Sequence, residues 1–129
     1  DFAASVPITE LSEIIECETI CGELDSQIFG YTVVNSLNAI LNLSPSEFNR
    51  IYGWSTERAL IFTDVSSGKS PMIAIRVTPF KPPYVILQGI TAEKVHPMVK
   101  LLAEKDHINV LCTPLGVQEI ITRLRKAKW

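Results

Sequence analysis

The chain has 129 residues and no apolar stretch approaching the ~20 residues of a membrane-spanning helix, so a helical span is excluded. Cysteine is scarce as well: three is an odd number and does not suggest a disulfide framework. Cys17 and Cys21 are four apart, and no paired His or Cys spacing accompanies them, so zinc is not expected. Buried thiols in a reducing cytoplasm are the expectation instead. Positive charge is not in excess. Lys plus Arg total 12 against 14 Asp plus Glu, a net charge of −2, which gives no electrostatic reason to expect nucleic acid. The one cationic cluster, Arg123, Arg125, Lys126 and Lys128, falls in the last turns of a helix. There it complements the macrodipole and reads first as a solvated helix end. No Ser/His/Asp order, paired-carboxylate motif or metal spacing stands out, so neither a catalytic residue nor a metal or cofactor is expected. An initiator Met, a signal peptide and a transit-like segment are also missing, which points to a processed, trimmed or excised domain located in the cytoplasm.

What is present is a pattern of buried strands and amphipathic helices. A hydrophobic fraction of 47% suffices for a core without staples, and the length fits one domain, with residues 1–7 as leader and 8–129 as the folded unit. Tyr84 to Lys126 alternates an apolar run, a helical segment, a second apolar run and a second helical segment. The runs Val85-Ile86-Leu87 and Val110-Leu111 leave no polar face and read as strands covered on both sides. Val117, Ile120, Ile121 and Leu124 follow helical spacing, and Pro97 suits the first turn of a helix ending near Asp106. Upstream, Thr9 is placed to cap a short helix with stripe Leu11, Ile14 and Ile15. Thr19 to Cys21 is a short strand, Gly22 to Asp25 a turn, and Ile28 to Val34 a strand. Asn35 or Ser36 then caps a helix bearing Leu37, Ile40 and Leu41, and Ser44-Pro45-Ser46-Glu47 opens another that Gly53 ends. Ala59 to Asp64 is a strand, and Val65 to Gly68 a loop. Pro71 to Thr78 has strand propensity, although Pro71 suits a helix start and Pro79 a helix end. The fold class is therefore α/β, with a mainly parallel central sheet flanked by helices.

In open parallel sheets ligands sit outside the carboxyl ends of the strands. A site, if there is one, would gather Thr63, Asp64, Ser67, Gln88, Gly89 and Thr113. Ser66-Ser67-Gly68-Lys69-Ser70 ends like a phosphate-binding loop, but Thr63 occupies the position where that motif needs glycine, so an ordinary polar loop is the default. Asp64 and Thr113 read first as caps for the segments that follow them. His96 and His107 flank the Pro97 helix as solvated side chains.

In their order, these pieces resemble the DRTGG domain family. The carriers are Thr9 to Ile15 with Ile20-Cys21-Gly22-Glu23-Leu24-Asp25, then Phe29 to Val34, Ile61-Phe62-Thr63-Asp64, Val85-Ile86-Leu87-Gln88-Gly89 and Ile108 to Pro114. Val65 stands where the family has Arg, Gln88-Gly89-Ile90 stands for its Thr-Gly-Gly, and Leu43 to Arg58 looks like an insertion. The resemblance implies a helix at Pro71 to Thr78, as a β-α-β crossover also requires. It implies a non-catalytic regulatory domain, commonly a homodimer, that senses a small anionic or nucleotide-like effector. Such modules occur beside CBS or catalytic domains, in transcriptional regulators among others. Neither nucleic acid nor a membrane is expected as a partner. Two alternatives accompany it. One is an accessory domain of an acyl- or phosphoryl-transfer enzyme such as a phosphate acetyltransferase. The other is a structural interaction module with Phe48, Tyr52 and Trp54 as anchors.

Overall fold

In chain order the elements of the computed structural model are β1 (Val6–Pro7), α1 (Ile8–Ile14), β2 (Glu18–Cys21), β3 (Gln27–Ile28), β4 (Gly30–Asn35) and β5 (Arg58–Thr63). They continue with α2 (Lys69–Arg76), β6 (Tyr84–Gln88), a 3-10 turn (Ala92–Lys94), α3 (Pro97–Asp106), β7 (Asn109–Thr113) and α4 (Val117–Lys126). The residues described are 5–28, 30–35, 58–76 and 83–127. The helices expected to begin near Ser36 and Ser44, and the anchors Phe48, Tyr52 and Trp54, lie outside them.

Five strands form one sheet in the order β2-β7-β6-β5-β4. β4, β5, β6 and β7 run parallel, and β2 pairs antiparallel with β7 at one edge. The α/β class with a mainly parallel sheet is thus what the structure shows. Period-two alternation divides the buried side chains between the two faces. Leu60, Phe62, Val85, Leu87, Val110 and Cys112 point to one face, where Met72 and Ile75 of α2 and Val99 and Ala103 of α3 cover them. Ala59, Ile61, Tyr84, Ile86 and Leu111 point to the other, against Leu11 of α1 and Ile120 and Leu124 of α4. Every residue of β6 is buried, which is why its sequence is an unbroken apolar run. Fully burying side chains of this size is worth roughly 1.5–3 kcal/mol each, so the sheet is held mainly by these two layers.

Three local expectations are corrected. The strand expected over Ile28 to Val34 is two strands with different partners: β3 pairs antiparallel with β1, whereas β4 joins the main sheet. Thr9 does not cap α1 but lies within its first turn, behind Pro7 at the N-cap; the Ile8 N–H donates instead to the Ser26 carbonyl at 3.1 Å. The expected helix at Pro71 is present but begins at Lys69. Pro71 is tolerated there because the N–H it lacks would have no helical partner in the first turn.

Candidate functional site

The parallel register places the carboxyl ends of β5, β6 and β7 along one rim, with Phe62 opposite Leu87 and Gln88 opposite Thr113. The rim is knitted together by backbone bonds. The Val65 N–H donates to the Gln88 carbonyl at 3.0 Å, and the Gly89 N–H to the Thr113 carbonyl at 2.8 Å. Thr63, Asp64, Gln88, Gly89 and Thr113 are therefore brought together as the strand order implied. Ser67 stands in a loop folded over the Leu87 and Val99 side chains; a Cβ on Gly68 would lie 2.8 Å from Leu87 Cδ1, and Gly68 holds φ +85°.

Side-chain chemistry at this rim is turned inward. Gln88, 4% exposed, accepts from the Asp64 N–H through Oε1 at 2.7 Å and donates to the Leu115 carbonyl through Nε2 at 2.7 Å. Both ends of its amide are thus engaged. Thr113, fully buried, donates from Oγ1 to the Ile15 carbonyl at 2.6 Å and accepts from the Leu115 N–H at 3.3 Å. Thr63 is buried as well. Asp64 is exposed with φ +53°, a left-handed conformation that Asp tolerates better than most residues. It does not cap α2: the Ser67 Oγ accepts from the Lys69 N–H at 3.4 Å. Neither does Thr113 cap α4, whose N-cap is Gly116. Gln88 and Thr113 act as braces between the strand ends and the loops beyond them.

The opposite end of the sheet holds a feature that sequence reasoning missed. An open cavity of about 320 Å³ is lined by Cys21, Gly22, Glu23, Asp25, Ala103, Glu104, His107, Ile108 and Asn109. The antiparallel pairing of β2 with β7 brings these two distant stretches together, and no local signal announces that pairing. Asn109 ties the corner, accepting from the Glu23 N–H at 3.0 Å and donating to the Pro83 carbonyl at 2.9 Å. His107 is exposed at the left-handed C-cap of α3; His96, also exposed, caps the start of that helix by accepting from the Met98 N–H.

The thiols sit in surroundings that disfavour ionisation. Burial, then the neighbouring Cys112, pushes Cys17 up to about 12, and burial followed by Glu18 pushes Cys112 up to about 11. Cys21 is raised by burial and by Glu104. Such groups are weak nucleophiles near neutrality. Among the described residues, no group of three or more His, Cys, Asp or Glu could hold a metal ion, and no helix is long and apolar enough to cross a membrane.

No family model matches the chain. Two curated proteins are similar to it over nearly its whole length. It is 43% identical over 129 residues to an uncharacterized HTH-type transcriptional regulator of Methanocaldococcus jannaschii, covering 99% of this chain and 54% of that protein. It is 44% identical over 134 residues to a protein of the same description from Archaeoglobus fulgidus, covering 98% and 58% respectively. The chain thus spans little more than half the length of these relatives.

These matches overturn the functional expectation. The similar proteins are described as HTH-type transcriptional regulators, not as metabolite-sensing or dimerising domains, accessory transferase domains or structural interaction modules, and the exclusion of nucleic acid is withdrawn. The charge argument behind that exclusion is not decisive. A net charge of −2 averages over the chain, whereas DNA responds to where the cations lie and to groups on other segments of the same protein.

Proposed function

We propose that this chain is the α/β part of a helix-turn-helix transcriptional regulator that acts on duplex DNA and is not an enzyme. The carrying observation is the 43–44% identity to two proteins of that description across 98–99% of the chain. A helix-turn-helix needs two successive helices joined by a turn of about 3–4 residues. Among the described residues a strand separates each α-helix from the next, so no two of α1 to α4 form such a pair with one another. The α/β layer would then serve as the body from which a reading unit works. The engagement of the Gln88 and Thr113 side chains within the fold and the thiols held un-ionised support a non-enzymatic role. Acting on the chromosome implies the cytoplasm as its location. We also propose that the body is DRTGG-like, supported by the order of its strands and by the occurrence of such modules in transcriptional regulators.

Selection of genomic fragments by the purified gene product carrying this chain tests the proposal. Enrichment of a discrete sequence is expected, with binding that weakens steeply between 50 and 200 mM salt, as phosphate contacts require. Failure to retain any duplex at 50 mM salt would overturn it.

A further inference from the structure

Charge along this chain is segregated. Residues 120–129 hold four of its twelve cations and no carboxylate, so the other 119 residues carry a formal charge of −6. The structure divides the cations of α4 into two kinds. Arg123 is consumed internally: its Nε donates to Glu119 Oε1 at 2.8 Å, and its Nη1 donates to Glu16 Oε2 at 2.8 Å and to the Ile14 carbonyl at 3.0 Å. That clamp fixes the last turns of α4 against the end of α1, while Ile120 and Leu124 are buried on the same helix. Arg125 and Lys126 are exposed, and neither has an ion-pair partner among the described residues. The C-terminal end of a helix contributes about −0.5 charge, which two or more full positive charges outweigh. The result is a positive spot, on a helix packed against the core, in a chain that is otherwise acidic.

We propose that Arg125 and Lys126 contact the phosphate backbone of the duplex bound by the regulator, a positioning contact that carries no sequence information. The inference rests on the proposed DNA-binding function and assigns part of that binding to the α/β body. An acidic body held near DNA would be repelled, and a cationic spot gives it one preferred side to present. Side chains of this kind, neutralising phosphates, release counterions and steepen the salt dependence of binding.

The test compares the gene product with its R125Q/K126Q variant on the selected sequence and on an unrelated duplex, across a salt series. The variant is expected to bind both duplexes more weakly by a similar factor. Its log–log salt slope should be shallower by about 2, roughly 1 for each lost phosphate contact. Lys105→Gln, which neutralises an exposed lysine of α3, should leave the slope unchanged. Because Arg125 and Lys126 are exposed, thermal unfolding should coincide for variant and parent, and Arg125→Ala/Lys126→Ala repeats the test with truncated side chains. Wild-type slopes in both double variants would overturn this inference while leaving the DNA-binding function standing. A wild-type protein that binds no duplex would bring down both.

Discussion

The two faces of the sheet are closed in different ways. On one face α2 lies between β5 and β6 and α3 between β6 and β7, and each returns the chain to the neighbouring parallel strand, as β-α-β crossovers do. On the other face α1 and α4 come from segments about 100 residues apart, and long-range polar bonds accompany the apolar packing there. Thr113 reaches the Ile15 carbonyl, Arg123 reaches the Ile14 carbonyl and Glu16, and the Tyr84 hydroxyl accepts from the Ser26 N–H. The first face is built from local connections and the second from closures. Loop-closure entropy opposes long-range contacts until both partners are in place, so the crossover face should form first and the closure face last.

The largest test of that contrast is Phe62→Ala. Phe62 is fully buried on the crossover face. Its truncation should cost about 3–5 kcal/mol in denaturant unfolding, and slowed folding should account for much of that loss. If the whole loss appeared as faster unfolding, the crossover face would not be the early one.

Thr113→Val comes next, on the closure face. The replacement keeps the shape but strands the Ile15 carbonyl in a buried site and leaves the half-buried Leu115 N–H without its acceptor. Unsatisfied buried groups of this kind cost about 1–3 kcal/mol. The prediction is faster unfolding with the folding rate nearly unchanged, read from chevron plots. A folding rate reduced as much as by Phe62→Ala would erase the distinction between the faces.

The same contrast explains what could be read from the sequence. The β-α-β-α run from Tyr84 to Lys126 was legible because its signals are local. β6 is an unbroken apolar run, Pro97 opens α3, and Ile120 and Leu124 recur at helical spacing in α4. The gathering of Asp64, Gly89 and Thr113 at one rim followed from that pattern. What escaped was whatever depends on long-range partners. Thr113 looked like a cap because its sequence neighbours suit one; its bond to Ile15 joins residues 98 positions apart. Gln88 looked like a ligand contact because it ends a parallel strand, yet the protein spends both ends of its amide on Asp64 and Leu115. The division of Ile28 to Val34 between two sheets was hidden for the same reason: Ile28 answers to Val6 and the residues from Gly30 onward to β5. Function was the least legible, since no local motif in the chain announces the likeness to HTH-type transcriptional regulators.

The finest test uses the thiols, one packed against each face. Cys112 belongs to the crossover core, and Cys17 packs against the closure core. Both are raised from 9.0, to about 11 and about 12 respectively, chiefly by burial. The native state therefore holds these protons at a pH where the unfolded chain releases them. Below pH 9 both states keep them and the thiols give no pH dependence. From pH 9 toward 11 for Cys112, and toward 12 for Cys17, the unfolded state binds fewer protons, so stability falls as pH rises. Each thiol can contribute a slope of up to about 1.4 kcal/mol per pH unit in its window. Unfolding free energies measured between pH 8.5 and 10.5 should decline less steeply in Cys17→Ala than in the parent. Should the two curves run parallel, Cys17 would already be exchanging its proton through local opening of the α1–α4 seam. The closure face would then be a loosely latched cover over the crossover half, and only Cys112 would report the global stability of the domain.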